Sequence, residues 1–306
     1  MKIKRLVQIL GFGLLAIAVL PAAARVQGSF QRSFTVTGPV DLEVLTRSGD
    51  ITVRSGPAGT VSITGKIHVG DSWLSGDWHA KVSELEKNPP IRQAGNSVHV
   101  DYVNERNIAI DYEITAPADT TVRTKSGSGN QIMDGLRSSV TLESGSGDMR
   151  LTNLSGGIHL HTGSGDVRAQ DVSGPVDAEA GSGEIQLEAM GAGNVRVHTG
   201  SGNISLRGIS GTLWAEAGSG DVTVQGVQKG SWELKTGSGN VRPQLPFDAA
   251  FDLDASTGSG RVVADQPVTM VVQGDLEHGQ RSIHGKVRGG GPLLTVVTGS
   301  GDIHIE

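Results

Sequence analysis

The chain has 306 residues, of which 45 are glycine, none is cysteine and only 4% are aromatic, and its formal charge is -6. Glycine at about twice its usual share favours a turn-rich architecture over a helical bundle, whereas alternating apolar and polar residues exclude collagen and a disordered tail. The absence of cysteine excludes disulfides, thiolate zinc sites, iron–sulfur clusters and a cysteine nucleophile.

The segment Met1–Ala24 has the pattern of a secretory signal peptide. A basic stretch, Lys2–Arg5, precedes the apolar run Leu6–Leu20 and the small-residue cleavage site Pro21–Ala24. We expect cleavage after Ala24 and export to the periplasm, the outer surface or the medium. The alternative is an uncleaved membrane anchor, but the apolar run is shorter than the roughly 20 residues that span a bilayer.

The charge of the mature chain argues against a nucleic-acid partner. Removing residues 1–24 takes away three positive charges and leaves 23 Lys and Arg residues against 32 Asp and Glu, a formal charge of -9. Phosphate binding needs a concentrated basic face, which such a chain does not favour. No later segment of the sequence is apolar enough to form a transmembrane helix.

Residues 25–115 are predicted to form an N-terminal β region that covers the first repeat. Three segments alternate apolar and polar residues as strands do: Thr35–Arg54, Val61–Val69 and Val98–Tyr112. The polar segment Asp71–Asn96 contains Trp73 and Trp78, and we expect it to be a loop with a short helix that packs as a lid. A cover is needed because terminal repeats must hide an open sheet edge.

The tripeptide Gly-Ser-Gly recurs along residues 116–306, which we assign as the repeat domain. Its first glycines are Gly127, Gly145, Gly163, Gly181, Gly200, Gly218, Gly237, Gly258 and Gly299. Most intervals are 18 or 19 residues, and the last is long enough for two turns and an insertion. Repeats of this period without a helical pattern point to a solenoid. We interpret the recurring serine as a turn residue, because a catalytic serine would not be needed in every repeat.

The residues between the turns have the period of β-strands. Positions five, three and one before each first glycine are apolar or small, and the positions between them are mostly polar. A second strand follows each turn, and its apolar residues in successive repeats are Met149, Leu151 and Leu154, then Val167, Ala169 and Val172, then Ile185, Leu187 and Met190, then Ile204, Leu206 and Ile209. Each such strand pair, which we call a rung, would stack on the next at about 4.8 Å. We therefore predict an all-β fold: a single-chain parallel β-solenoid (β-helix) with coils of about 18 to 19 residues and two short strands per coil.

Three segments carry a resemblance to a known family. They are Ile114–Val122 followed by the Ser-Gly-Ser-Gly-Asp/Asn repeats, Leu85–Val98, and Gly289–Ile303. Together they resemble the bacterial β-strand-repeat family of unknown function labelled "putative adhesin". The resemblance implies an exported envelope protein with a β-solenoid fold, and the family has no catalytic motif or cofactor to carry over.

The outward positions two and four before each first glycine hold most of the charge. In the column two residues before each first glycine, the sign of the charge alternates from rung to rung when histidine is counted as positive. The residues are Lys125, Glu143, His161, Glu179, His198, Glu216 and Lys235. Opposite charges on adjacent rungs stabilise register by roughly 0.2–1 kcal/mol each. A metal site at His161, Glu179 and His198 is the alternative, but two rungs separate these histidines by about 10 Å.

The residue after each Gly-Ser-Gly is mostly Asp or Asn. This corner column reads Asn130, Asp148, Asp166, Glu184, Asn203, Asp221, Asn240, Arg261 and Asp302. Adjacent carboxylates at Asp148, Asp166 and Glu184 leave calcium as one interpretation. Capping of turn amides by the side chains accounts for Asp and Asn equally well.

A carbohydrate-active β-helix enzyme is the catalytic alternative, because four carboxylates share a face with Trp214: Asp177, Glu179, Glu216 and Glu233. These acids alternate with bases and no long loops build a cleft, so we predict no catalytic, metal or cofactor residue. We predict an exported, non-enzymatic cell-envelope module, of adhesion or scaffold type, that binds an envelope or surface ligand, either protein or polysaccharide. The predicted ligand face consists of His159, His161, Asp177, Glu179, Arg196, His198, Trp214 and Glu216.

The last rung, Gly299–Glu306, ends in the apolar residues Ile303 and Ile305 without a polar cap after them. Unless residues 262–291 fold over it, this rung would present unpaired backbone groups. We therefore expect a weak end-to-end homodimer, and a self-assembling envelope scaffold is a second functional alternative.

Overall fold

The computed structural model of this chain describes residues 26–70, 78–105, 107–191, 193–270 and 281–306. The predicted signal at residues 1–24 and the side chain of Trp73 lie outside the described residues. The described part contains one α-helix and 27 strands.

The elements fall into three groups along the chain. The N-terminal elements are β1 (Val26–Thr35), β2 (Asp41–Ser48), β3 (Ile51–Gly56), β4 (Thr60–Val69), α1 (Trp78–Lys87), β5 (Ile91–Ala94), β6 (Ser97–Val100) and β7 (Ile108–Pro117). The repeat strands are β8 (Thr121–Ser128), β9 (Gln131–Asp134), β10 (Val140–Ser146), β11 (Met149–Leu154), β12 (Ile158–Ser164), β13 (Val167–Val172), β14 (Val176–Ser182), β15 (Ile185–Gly191), β16 (Val195–Ser201), β17 (Ile204–Ile209), β18 (Leu213–Ser219), β19 (Val222–Gly226), β20 (Trp232–Ser238) and β21 (Val241–Gln244). The C-terminal elements are β22 (Phe251–Ser259), β23 (Val262–Ala264), β24 (Val268–Met270), β25 (Ser282–Val287), β26 (Leu293–Ser300) and β27 (Ile303–Ile305).

The strands form two long sheets. The front sheet has 14 strands in the order β24-β25-β22-β26-β20-β18-β16-β14-β12-β10-β8-β2-β6-β5, and the back sheet has 13 in the order β1-β4-β7-β3-β9-β11-β13-β15-β17-β19-β21-β27-β23. From β8 to β21, successive strands alternate between the two sheets, and neighbours within each sheet pair in parallel. The prediction of an all-β protein with long parallel sheets is confirmed.

The core is the space between the sheets, filled by one side of every strand. On β12, Ile158, Leu160 and Thr162 are buried, whereas His159 and His161 are exposed. The predicted alternation of inward and outward positions is therefore confirmed on this strand. Full burial of an Ile or Leu side chain contributes about 1.5–3 kcal/mol, so the repeated apolar positions supply the main stabilising term.

One predicted core residue is placed wrongly. The spacing predicts that Met190 faces inward with Ile185 and Leu187, but its side chain is 63% exposed. The pairing of β13 with β15 shifts register so that Val172 lies opposite Ala189. This irregularity turns Met190 to the solvent, which the spacing of apolar residues alone does not reveal.

The Gly-Ser-Gly turns bring the backbones of neighbouring rungs into close contact. Gly220, the third residue of one turn, has a φ of +139°, in a region that side chains disfavour. A methyl group built on Gly220 would also overlap the carbonyl oxygen of Gly202 on the neighbouring rung. The serine between the glycines, Ser219 in this turn, is exposed to solvent.

The corner column forms a ladder of side-chain caps. The Asp148 amide donates to Asn130 Oδ1 at 3.0 Å, the Asp166 amide to Asp148 Oδ1 at 3.0 Å, and the Glu184 amide to Asp166 Oδ1 at 3.0 Å. These oxygens therefore satisfy turn amides, as the capping interpretation predicts. Among the described residues, no group of three or more His, Asp or Glu side chains is arranged to hold a metal.

The N-terminal region extends both sheets beyond the repeat. The strands β1, β4 and β7 pair in antiparallel fashion, and β7 joins the parallel stack through β3. The helix α1 lies within the segment where a short helix was predicted, and it packs on β1 through the buried Val82. The strands β2 and β3 pair in register with β8 and β9, so they already form a rung of the stack.

The C-terminal rung is not at the end of the stack. The strand β26 lies between β20 and β22, and β27 lies between β21 and β23. Ile303 and Ile305 are fully buried. The open edge, which was predicted unless residues 262–291 fold over this rung, is therefore absent, and the end-to-end homodimer predicted from it loses its structural support. The physical reason is that β22 and β25, an antiparallel pair, take the outer position instead.

Candidate functional site

The structure brings the predicted ligand face together on the outer surface of the front sheet. The eight residues lie on four consecutive strands, β12, β14, β16 and β18, two on each strand. In register, His159, Asp177, Arg196 and Trp214 form one column, and His161, Glu179, His198 and Glu216 form the other. Because the strands are parallel and adjacent, each column places one side chain about every 4.8 Å.

Ion pairs connect some neighbours within these columns. His161 Nδ1 lies 3.5 Å from Glu179 Oε2, and Lys125 Nζ lies 2.9 Å from Glu143 Oε2. The hydrogen bond from Lys125 to Glu143, and then the charge of Glu143, raise the pKa of this lysine. Lys235 instead pairs with Glu233 of its own strand, and this hydrogen bond is the main reason for its raised pKa. The predicted cross-strand ladder is thus present in part.

Replacing Glu179 with lysine should measure what this column contributes to register. The new cation would lie between His161 on β12 and His198 on β16, the two strands that flank β14. We expect a loss of about 1 kcal/mol, because the pair is exposed to solvent, and a larger loss below about pH 6, where histidine gains charge. Thermal unfolding at about pH 7.5 and about pH 5.5 tests this, with Glu179→Gln as the control that removes charge without reversing it. An unchanged Tm for Glu179→Lys at both pH values would contradict a role in register.

The most distinctive contact on the face joins Arg196 to Trp214. The guanidinium carbon of Arg196 lies 4.1 Å from the centroid of the Trp214 ring, and the His198 ring lies 6.1 Å from it at an interplanar angle of 27°. Asp177, which is opposite Arg196 in register, points instead to His159, 4.0 Å from its Nδ1. Within the described part of the chain, no carboxylate oxygen lies within 4.0 Å of an Arg196 nitrogen. The Trp214 indole therefore holds the Arg196 guanidinium in place, and the N–H donors of the guanidinium stay exposed to solvent.

A groove of about 330 Å³ runs beside this contact, at the start of the same four strands. Val176, Val195 and Leu213 lie at its floor and are only 3–5% exposed, and Pro175 and Trp214 add to its apolar lining. On its rim, the Thr212 hydroxyl donates to Asn194 Oδ1 at 2.7 Å. The groove thus combines an apolar floor with a few fixed polar groups, a combination that suits small sections of a ligand.

Four of the eight predicted residues line this groove, and four do not. The lining residues are His159, Asp177, Arg196 and Trp214. The other four, His161, Glu179, His198 and Glu216, lie beside it along the strands. Sequence analysis missed Asn194 and Thr212, which occupy the corner before each strand. These two residues could have been identified from the sequence, because each lies one residue before the first buried residue of its strand.

Two other concavities also hold an arginine without a carboxylate partner, but that arginine does not stack on an aromatic ring among the described residues. A smaller one of about 140 Å³ on the back sheet is lined by Arg207 and by Arg168, whose guanidinium bonds Asp166 at 3.0 Å. A larger one of about 430 Å³ is lined by Arg47 and by Lys125, which pairs with Glu143. The groove at Arg196 is the best candidate for a binding site, because an aromatic ring holds its guanidinium in place. Among the described residues, no helix is both long and apolar enough to cross a membrane.

Comparisons with known proteins give one family model and several solved structures similar to this chain. The family model described as Toastrack DUF4097 matches residues 31–190 and 111–306. A "putative lipid binding protein" from Parabacteroides distasonis ATCC 8503 is 10% identical, with 92% of this chain and 97% of that chain covered and a TM-score of 0.50. A "putative adhesin" from Bacteroides fragilis NCTC 9343 is 13% identical, with 91% and 97% covered and a TM-score of 0.43. A "putative cell adhesion protein" from Clostridium sporogenes ATCC 15579 is 13% identical, with 90% and 98% covered and a TM-score of 0.27. No curated protein matches. At such low identity, the first of these likenesses shows the fold alone.

Proposed function

Because this chain belongs to the Toastrack DUF4097 family, we propose a function that uses its repeated surface. The protein is an exported, non-enzymatic envelope module that binds an extended ligand along one face. Residues 1–24 are the signal that directs export, residues 25–115 cover one end, and residues 116–306 form the binding domain. Support for export comes from the basic, apolar and small-residue segments within Met1–Ala24.

The binding domain is, in this proposal, a parallel β-solenoid with two strands per coil and a coil length equal to the Gly-Ser-Gly interval. The register supports this, since Val140 lies opposite Ile158 and Val176 lies opposite Val195. Solenoids of this kind bind through extended faces, because each rung adds the same surface element. A ligand that is itself a repeating, extended polymer matches such a face best.

The observation that carries the ligand class is the unpaired guanidinium of Arg196. Arginine recognises carboxylates through two parallel N–H···O bonds, and stacking on Trp214 holds its plane in place for that geometry. The apolar floor suits the C–H faces of sugar rings, and the bonded pair of Asn194 and Thr212 offers polar groups to hydroxyls. The ligand we propose is therefore a linear polysaccharide with carboxylate groups, such as a polyuronate. A single carboxylate bound at Arg196 does not need the concentrated basic face that nucleic-acid binding requires.

Binding of polygalacturonate, with neutral dextran as the comparison, tests this proposal. Arg196→Lys keeps the charge but removes the bidentate geometry, so we expect about a tenfold weaker affinity, equivalent to about 1.4 kcal/mol. The matched control is Arg168→Lys on the back sheet, which should bind as the unsubstituted protein does. Calorimetric titration at low salt measures both.

Three outcomes would contradict the proposal. Equal binding of dextran would remove the role of the carboxylate, unchanged affinity in Arg196→Lys would remove this site, and absence of binding to both polymers would favour a protein ligand. The enzymatic alternative is tested in the same samples, because a carbohydrate-active enzyme would shorten the polygalacturonate during incubation. We expect its length distribution by size-exclusion chromatography to stay constant.

A further inference from the structure

The rung formed by β26 and β27, which we call the inserted rung, interrupts the chain order of the stack. Ser300 lies opposite Ser238 of β20 on one side and opposite Ser259 of β22 on the other. Both partners are distant along the chain, and both precede the inserted rung in sequence. The strands β22 and β23 are nonetheless outside it in space.

The inserted rung is bound on both sides by parallel strand pairing and corner caps, as the other rungs are, although β27 pairs with β21 at a single position, Val241 with Ile303. The Asp302 amide donates to Asn240 Oδ1 at 2.9 Å, and Asp302 Oδ1 accepts from the Arg261 amide at 2.9 Å. Leu294 and Val296 are fully buried between the sheets. The slot that holds this rung is therefore a complete binding site for a strand pair, with backbone, capping and apolar contacts.

The slot selects strongly for its occupant. Methyl groups at Gly299 and Gly301 would approach the carbonyl oxygens of Gly237 and Gly239 too closely, so glycine is needed at both positions. An Asp or Asn must follow to cap the next amide, and inward positions must be apolar or small. The inserted rung meets all of these requirements. A second copy of the protein carries the identical segment, which would fit the slot equally well.

The neighbouring strands would still be complementary without the inserted rung. Leu253 and Ala255 of β22 occupy the same inward columns as Leu294 and Val296 of β26. β22 could therefore pair with β20 in the same register if β26 were withdrawn. The connection into β26 contains the positive φ angles of Arg288 (49°), Gly289 (93°) and Gly290 (90°). A connection with Arg288 in the left-handed region and two flexible glycines after it, next to a strand pair that fits its slot, is a suitable hinge for exchange.

From this arrangement we propose that the slot between β20/β21 and β22/β23 is a strand-binding site, and that its second occupant is the segment Leu293–Glu306 of another copy. The product is a strand-exchanged dimer in which each copy completes the other's stack. It differs from an end-to-end dimer, because the contact lies inside the sheets and not at their edges. This inference is independent of the ligand proposed for Arg196.

The order of the strands is tested first, by disulfides in a chain without native cysteine. Val297 lies opposite Lys235 on β20 and opposite Ser256 on β22. Neighbouring parallel strands are about 4.8 Å apart, within disulfide range, whereas a gap of two strands is about twice that. Lys235→Cys/Val297→Cys and Ser256→Cys/Val297→Cys should oxidise within one molecule, and Lys235→Cys/Ser256→Cys should not. Efficient oxidation of this third variant would overturn the inserted order.

Exchange is tested by mixing two single variants that carry tags of different size. In an exchanged dimer, Val297→Cys of one copy lies opposite Lys235→Cys of the other, so a disulfide joins the two tags. The control mixture pairs Lys235→Cys with Glu143→Cys, an exposed position on the same sheet, and reports random collision. We expect several times more joined dimer from the first mixture after incubation in urea below the unfolding midpoint.

A locked variant completes the test. Lys235→Cys/Val297→Cys, oxidised as a dilute monomer, cannot release its inserted rung and should stay monomeric in the same incubation. Equal yields from the two mixtures, or dimer formation by the locked variant, would overturn the exchange.

Discussion

Replacing Trp232 with alanine is expected to lower the free energy of unfolding by about 4 kcal/mol. Trp232 is the largest fully buried side chain in the described residues, and its indole Nε1 donates to the Gly211 carbonyl at 3.0 Å. It occupies a column where its neighbours in register are Leu213 on β18 and Leu294 on β26. The truncation leaves a cavity between these two strands and removes the partner of a carbonyl group. Urea unfolding followed by circular dichroism measures the loss.

The matched control is Trp214→Ala, one strand away in the same sheet. Trp214 points outward, so its removal creates no internal cavity, and we expect a loss below about 1 kcal/mol. The two substitutions therefore separate two roles: Trp232→Ala should destabilise the protein, and Trp214→Ala should weaken polygalacturonate binding. Equal losses of stability would contradict the assignment of inward and outward columns.

Replacing Gly220 with alanine is expected to lower the free energy of unfolding by at least about 2 kcal/mol. Its φ of +139° is unfavourable for alanine, and the added methyl group would overlap the Gly202 carbonyl oxygen. The unfavourable φ and the steric overlap both destabilise the folded protein. The backbone of the neighbouring rung cannot move away without disturbing the next turn. The midpoint of thermal unfolding measures the change.

The serine beside it provides the control for this substitution. Ser219 is exposed, and its replacement by alanine should change stability by less than about 0.5 kcal/mol. If Ser219→Ala were as harmful as Gly220→Ala, the serine column would have a structural role that the described contacts do not show. If neither substitution had an effect, the close approach of successive turns would be wrong.

The parts of the fold that follow a strict period could be predicted from the sequence. Position-specific alternation identified Ile158 and Leu160 as core and His159 and His161 as surface, because each turn resets the register of the strand after it. Met190 was mispredicted, because a local shift in pairing leaves no mark on the spacing of apolar residues.

The inserted rung could not be predicted for a different reason. β22 and β26 carry the same pattern of inward residues and the same turn, so either one satisfies the columns next to β20. Local pattern cannot choose between two strands that fit one slot. In the structure, β22 also pairs with the antiparallel strand β25 on its outer side, a contact that the repeat pattern does not indicate.

The candidate site was predictable in its membership but not in its contacts. Parallel register places Arg196 between Asp177 and Trp214, so sequence alone leaves both as partners. The structure turns the guanidinium toward Trp214 and leaves Asp177 near His159. The resulting unpaired cation is what gives the groove its chemical character.

The ladder of corner caps also determines how the stack responds to a pulling force along its axis. Caps join the described rungs from Asp50 to Glu184 and again from Asn203 to Arg261, but the Asn203 amide does not donate to the Glu184 carboxylate. The extra methylene of glutamate carries its carboxylate past the amide that aspartate would reach. Under tension, this junction therefore has one contact fewer than the capped junctions beside it. This is also where Asp177 faces Arg196, so a polymer lying across the groove would bridge the gap in the ladder of caps.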